Sequence, residues 1–189
     1  RALQKTIDPG RDVREARRAF DLTPTAHNQM RLAAALLAAG QSDEAVQHYD
    51  ACLRGPFAGD PEVILGAARA NAAHGKPATA IALLASLQDR RPGFRADEVG
   101  LALGRAYAAN NQQLEAGVQF ESVVERFGSI DARVELTLWA IANGKNDVAQ
   151  RELQEIAHAR KHMEKHTRDL HRELFRRLDG AVASKPPAA

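Results

Sequence analysis

Two arginines in this sequence, Arg69 and Arg105, occupy matching places in two similar stretches of chain, 36 residues apart. An arginine guanidinium is a planar fork of N–H groups that can hold a carboxylate through two hydrogen bonds. Leu65 and Leu101 precede these arginines by four residues, one helical turn, and so give each of them an apolar neighbour. This combination predicts binding of a carboxylate-bearing segment.

Two glutamates repeat in the same register, because Glu62 and Glu98 each stand seven residues before an arginine. On a helix this spacing places the acid and the base on one face. The alternative is therefore that each arginine pairs with its own glutamate and stiffens the surface. Spacing alone leaves both interpretations open.

Three histidines, His158, His162 and His166, follow one another at intervals of four residues. One face of a helix could present such imidazoles to a single metal ion. Arg160 and Lys161 crowd these histidines and would repel a cation, so we expect a solvated face and no bound metal.

The sequence carries no catalytic motif: no glycine-rich phosphate loop, no Gly-x-Ser-x-Gly elbow and no His-Glu-x-x-His zinc motif. Its single cysteine, Cys52, falls at an apolar helix position, where burial is the expectation. One thiol cannot form an internal disulfide. We therefore expect a non-catalytic protein without cofactors.

Charge is nearly balanced over the 189 residues, with 26 basic and 24 acidic side chains and a formal net charge of +2. Between Arg151 and Arg177, however, eight basic residues and four histidines accompany five acidic ones. A nucleic-acid or anionic-lipid surface at this basic C-terminal helix is the alternative function. The interspersed acids and the single aromatic residue, Phe175, argue against it. We expect a protein or peptide partner and no nucleic acid.

A pattern that recurs along the chain supplies the elements that position these side chains. Its marker is an alanine, with apolar residues four and seven positions later and a glycine or asparagine five positions earlier. The alanines are Ala45, Ala80, Ala116 and Ala149, spaced 35, 36 and 33 residues apart, and the preceding residues are Gly40, Gly75, Asn111 and Gly144. This period predicts pairs of antiparallel helices that turn at the glycine or asparagine.

The third repeat, with Leu103-Gly104, Tyr107, Ala116 and Phe120, resembles the tetratricopeptide repeat (TPR) family. The resemblance implies an all-α fold, a right-handed α-α superhelix or TPR-like solenoid. It also implies a protein-binding scaffold in which the first helix of each pair lines a concave groove. The groove candidates are Met30, Leu65, Arg69, Leu101, Arg105 and Leu138, with Glu62 and Glu98 at the rim.

The repeats divide the chain into four parts. Residues 1–25 are predicted to form an N-terminal capping helix and a linker, and residues 26–157 four TPR-like helix pairs. Residues 158–180 continue the last helix without a breaker, which predicts one long C-terminal helix that covers the last pair and leaves room for a homodimer. Residues 181–189 are predicted to be a disordered tail.

The segment Gly-Pro-Phe-Ala-x-Asp-Pro, at 55–61, resembles bacterial TPR proteins that carry an N-terminal membrane anchor of the phospholipase D type. The longest wholly apolar run, 32–39, is far shorter than the roughly 20 residues that span a bilayer. We expect a cytoplasmic protein. The start at Arg1 leaves open a tether to the inner membrane by a segment upstream.

Overall fold

The computed structural model describes residues 9–184, which form eleven α-helices and no strand. The helices are α1 (Pro9–Leu22), α2 (Ala26–Ala38), α3 (Ser42–Leu53), α4 (Pro61–Ala73), α5 (Pro77–Arg90), α6 (Ala96–Ala109), α7 (Gln113–Phe127), α8 (Ile130–Ala142), α9 (Asn146–His162), α10 (Lys165–Leu170) and α11 (Arg172–Ala183). They belong to two compact units, Arg1–Phe94 and Arg95–Ala189. The all-α prediction is confirmed.

The first unit contains two helix pairs, α2 with α3 and α4 with α5, and α3 packs against α4. Helix α1 lies on α2, where Val13 and Ala16 join the buried core. The described helix α1, Pro9–Leu22, lies within the segment for which the sequence predicts an N-terminal capping helix. The second unit repeats the arrangement with α6 and α7 followed by α8 and α9, and α7 packs against α8.

The turn inside each pair lies at the predicted residue. Gly40, Gly75, Asn111 and Gly144 have φ angles of 76°, 76°, 62° and 67°. This left-handed conformation costs glycine little, and asparagine tolerates it. The amide after each of them donates back to the preceding helix, as in Gln41 N to Leu36 O at 2.9 Å. These backbone bonds satisfy carbonyls that the helix ends leave open.

The four repeat alanines are buried: Ala45, Ala80 and Ala116 are fully covered and Ala149 is 2% exposed. Small residues at this phase let the two helices of a pair approach closely. Gly104 has the same role on α6, since a Cβ atom there would lie 2.6 Å from the Phe120 ring of α7. The alanine periodicity thus marks helix contacts, as predicted.

The prediction of one long C-terminal helix is wrong. Helix α9 ends at His162, and Met163 adopts an extended conformation with φ −76° and ψ 133°. The chain then reverses through α10, and α11 packs against α8. Folding back brings Phe175 and Leu178 onto the apolar surface made by Val134 and Ile156. A straight helix would carry these two side chains away from that surface.

The predicted boundary of the tail also needs correction. Residues 181–183 continue α11 as its last turn. The remaining part of the predicted tail, 185–189, lies outside the described residues.

Candidate functional site

A cavity of about 460 Å³ opens between α2 and α4 in the first unit, with α3 at its back. The residues that line it are Met30, Arg31, Ala34, Leu37, Ala38, Tyr49, Glu62, Leu65, Gly66 and Arg69. Three predicted groove residues and one predicted rim residue are among them. The structure therefore brings together Met30, Leu65, Arg69 and Glu62.

Helix spacing explains how α2 and α4 present these side chains. Met30, Ala34 and Leu37 follow one face of α2 at intervals of four and three residues. Glu62, Leu65 and Arg69 follow one face of α4 at intervals of three and four residues. The two faces turn towards each other and form the walls of the cavity.

The starts of both helices are fixed by capping side chains. Thr25 Oγ1 accepts a hydrogen bond from the Asn28 amide at 3.2 Å, which begins α2. Asp60 accepts from the Glu62 amide at 2.8 Å, and Pro61 occupies the first turn of α4. These caps fix where the two helices begin.

Tyr49 reaches the cavity from α3. Its ring lies beside Gly66 of α4, where a Cβ atom would come within 2.5 Å of the ring, so only glycine admits this approach. Burial raises the pKa of the Tyr49 phenol above its ordinary value of 10.0, and the Cys52 thiol adds to that rise. The positive charge of Arg69 opposes the rise, and the negative charge of Glu62 supports it. Tyr49 is therefore a neutral hydroxyl at neutral pH.

The cavity combines an apolar wall with charged groups at its edge. Met30 and Leu37 supply the accessible apolar part, whereas Leu65, which is 1% exposed, belongs to the packed interior behind it. Arg31 and Arg69 supply two positive charges against the single negative charge of Glu62. Such a lining can take up an apolar side chain and attract a carboxylate.

The second unit uses its predicted groove arginine differently. Arg105 Nη2 donates to Glu135 Oε1 at 2.9 Å, a pairing with another helix that the repeat register did not predict. Glu98 pairs with Arg95, which lies three residues before it. Arg105 thus joins α6 to α8 within the wall of its unit.

Glu135 is the centre of this ionic cluster, and its side chain is only 6% exposed. Arg177 of α11 also donates to Glu135 Oε1, at 3.2 Å. One buried carboxylate therefore ties α6, α8 and α11 together. Removing it would leave two guanidinium groups facing each other without their counter-charge.

The predicted groove leucines of the second unit belong to its packed interior. Leu101 is 7% exposed and packs with Ala116 and Phe120. Leu138 packs at the edge of the C-terminal cluster with Val134, under the returning α11. The fold-back of α11 was not expected from the sequence, and it is what covers this part of α8.

The three histidines do not form one row, because the helix break at Met163 falls between His162 and His166. The ring centroids of His158 and His162 lie 4.7 Å apart. Among residues 9–184 no group of three or more histidine, cysteine, aspartate and glutamate side chains is arranged to hold a metal ion.

Much of the basic charge of the C-terminal helices is bound to carboxylates. Arg160 makes a two-pronged pair with Asp179 at 2.8 and 3.1 Å. Further arginine–carboxylate pairs are Arg172 with Asp169, Arg176 with Glu173 and Arg177 with Glu135. This internal neutralisation weakens the case for a nucleic-acid or anionic-lipid surface.

Sequence reasoning missed Tyr49, Arg31 and Gly66 as cavity residues. Tyr49 fits the repeat pattern as a core residue, and only its hydroxyl, which seeks a polar neighbour when buried, gave a sign of another role. Arg31 directly follows the predicted Met30, and the helical period of the groove residues does not include it. The omissions of Tyr49 and Arg31 come from treating each helix as having a single inward direction.

Comparisons with known proteins agree with this architecture. No family model matches the sequence, and no curated protein matches it at a significant level. Solved structures do match. TTC0263, a thermophilic TPR protein of Thermus thermophilus, is 17% identical, with a TM-score of 0.69 over 90% of this chain and 89% of its own.

The chain has the tetratricopeptide repeat fold. MamA of Desulfovibrio magneticus RS-1, from residue 41 to the end, is 13% identical with a TM-score of 0.72 over 83% of this chain and 88% of that one. A tetratricopeptide repeat protein from Parabacteroides merdae ATCC 43184 is 16% identical, with a TM-score of 0.66 over 96% and 75%. At identities this low, the structural likeness shows the fold of this chain and no more. Among its described helices, none is long and apolar enough to cross a bilayer.

Proposed function

We propose that this TPR chain is a non-catalytic protein-binding scaffold whose first unit takes a peptide segment into the cavity between α2 and α4. The observation that carries the proposal is the convergence of Met30, Leu65 and Arg69 on one cavity. These residues come from the first helices of two different pairs. The peptide would place an apolar side chain against Met30 and Leu37, the partly exposed apolar residues of the cavity, and a carboxylate at Arg69.

The size and lining of the cavity fit a short contact of this kind. Its volume of about 460 Å³ falls within the range of roughly 300 to 1,000 Å³ seen for ligand pockets. Burying one leucine-sized side chain contributes about 1.5 to 3 kcal/mol. A charge-assisted hydrogen bond contributes about as much again. The two contributions together, about 3 to 6 kcal/mol, correspond to a weak affinity, with a Kd between about 0.04 and 6 mM from this cavity alone.

The proposal concerns the first unit because its predicted groove residues line a cavity. In the second unit Arg105 forms an ion pair with Glu135, and a peptide carboxylate would have to compete with that buried group. Leu101 and Leu138 add packing there.

The test is a selection of random peptides displayed on phage against the purified chain, followed by affinity measurement for the enriched peptides. Ala34 is exposed at the cavity wall, so Ala34→Trp fills the cavity without entering the core. Ala78→Trp, at an exposed position of α5 outside the cavity, is the matched control. Arg69→Ala removes the positive charge. Arg69→Lys keeps a positive charge but lacks the planar N–H groups that can hold a carboxylate through two hydrogen bonds.

Enriched peptides should combine a large apolar residue with Asp or Glu. Ala34→Trp and Arg69→Ala should each weaken binding at least about tenfold, the equivalent of 1.4 kcal/mol, whereas Ala78→Trp should leave binding unchanged. Arg69→Lys should fall between Arg69→Ala and the unaltered chain. Peptides that bind Ala34→Trp as well as they bind the unaltered chain would place the binding surface elsewhere and refute the proposal.

A further inference from the structure

The break between α9 and α10 has no cause in the local sequence. Met163 and Glu164 are good helix formers, and no Pro or Gly occurs from Lys145 to Asp179. Glu164 directly precedes α10, and its side chain makes no capping hydrogen bond to the first amides of that helix. A helix normally ends at a breaker or a cap. The fold-back must therefore be maintained by tertiary contacts of α11.

Those contacts are specific. Phe175 and Leu178 are 3% and 1% exposed in the cluster formed with α8 and α9. Arg160 of α9 lies over the Phe175 ring at 4.3 Å and also pairs with Asp179. Arg177 reaches Glu135 of α8. Any α11 with this sequence would make the same contacts, whichever chain it came from.

We infer that a second copy of this chain can supply α11, giving a dimer in which the C-terminal helices are exchanged. In the exchanged form the chain runs straight through 163–171, and α9, α10 and α11 become one helix. Each α11 then docks on the α8–α9 surface of the other copy. Exchange of an identical element is an accessible route to a dimer because the docking contacts are unchanged.

A second observation supports the straight form. Leu170 is 70% exposed in the folded-back chain, although its neighbour Leu174 is partly buried. In one continuous helix Met163, Leu170 and Leu174 fall on a single face, at i, i+7 and i+11. The nine residues 163–171 would form a helical bridge about 14 Å long. Two such bridges, one from each copy, would cover Leu170 with each other.

The hinge can be blocked without disturbing the folded-back chain. Lys165 is the first residue of α10, an exposed position where a helix accepts proline. Glu164 before it already has φ −62° and ψ 152°, the conformation that a residue preceding proline prefers. Lys165→Pro therefore fits the fold-back but interrupts a continuous helix. Lys165→Ala removes the same charge and permits both forms, so it is the matched control.

Analytical ultracentrifugation over a wide concentration range is the first measurement, made on the full chain. The unaltered chain and Lys165→Ala should show a monomer–dimer equilibrium, and Lys165→Pro should raise the dimer Kd at least about a hundredfold. Circular dichroism and thermal unfolding verify that Lys165→Pro is folded. A chain that stays monomeric at every concentration, or an equal dimer Kd for the two variants, overturns the inference.

A cross-linking measurement identifies the exchange itself and does not depend on the hinge variants. Two differently sized chains, one with Arg160→Cys and one with Asp179→Cys, both in a Cys52→Ala background, are refolded together and treated with a short bis-maleimide. Exchange predicts a cross-linked heterodimer joining positions 160 and 179, whose yield rises with concentration. A chain carrying both cysteines is the control for intramolecular linkage. A dimer that gives no such heterodimer product overturns the inference.

Discussion

Replacing Gly117 with alanine provides a sharp test of the packing between α7 and α8. A Cβ atom at Gly117 would overlap the Cη2 and Cζ2 atoms of Trp139 on α8. The indole of Trp139 cannot easily move away from Gly117, because its Nε1–H donates to the Gln113 carbonyl at 3.1 Å, one turn earlier on α7. The ring thus lies along α7 with its position fixed at one end.

Two effects of opposite sign decide the outcome of Gly117→Ala. Alanine favours a helix interior over glycine by about 1 kcal/mol. Overpacking costs about 1 to 3 kcal/mol, and loss of the indole hydrogen bond costs about 0.5 to 1.5 kcal/mol. We expect a net loss of about 0.5 to 3.5 kcal/mol in the free energy of unfolding, from these magnitudes taken together.

Urea unfolding followed by circular dichroism measures this free energy, and the fluorescence of the single tryptophan reports on the site itself. Gly180→Ala is the control, since a Cβ atom there meets nothing within 4 Å and the helix position is exposed. It should stabilise the chain by about 0.5 to 1 kcal/mol. In a Trp139→Phe background, Gly117→Ala should cost at least about 1 kcal/mol less. If Gly117→Ala stabilises the chain as Gly180→Ala does, the close contact does not exist.

Two further predictions concern charge and pH. Glu135→Gln should lower the free energy of unfolding, measured by urea titration, by about 1 to 2 kcal/mol. This is less than a fully buried pair would lose, because the two arginine partners of Glu135 are half exposed. The control, Glu173→Gln, removes an exposed pair and should change this free energy by less than about 0.5 kcal/mol. Burial raises the pKa of Cys52 and Tyr49 above their ordinary values of 9.0 and 10.0. The unfolded chain therefore loses these protons first, and stability should fall as the pH rises above about 9. Thermal unfolding measured from pH 8 to pH 11 should show a shallower decline for the double variant Cys52→Ala and Tyr49→Phe, and an equally steep decline would contradict this account.

The repeat architecture could be predicted from the sequence because its determinants are local. A residue that adopts a positive φ must end each first helix, and glycine or asparagine stands at all four turns. Ala80 and its equivalents must be small because two helices meet there, so their spacing records the helix pairs directly. Likewise Leu65 and Arg69 share a helix face by periodicity alone, and the cavity between α2 and α4 contains both.

The ion-pair partner of Arg105 could not be predicted in this way. Its partner Glu135 is 30 positions later on another helix, and the competing Glu98 matches the repeat register better. Choosing between two carboxylates requires the distances between helices, which a repeat pattern does not contain. The same holds for Tyr49, whose approach to the cavity depends on the missing side chain of Gly66 on the neighbouring pair.

The C-terminal helices show most clearly where the sequence stops being decisive. By itself the sequence determined an all-α chain, the four turns and a helix-favouring stretch from Asn146 to Asp179, because propensity and periodicity act over a few residues. Only the tertiary structure decided that this stretch breaks at Met163. Within a single copy, the apolar surface on α8 and α9 can be covered by that copy's own Phe175 and Leu178 only if the chain reverses, and the free energy of that burial exceeds the small cost of interrupting the helix.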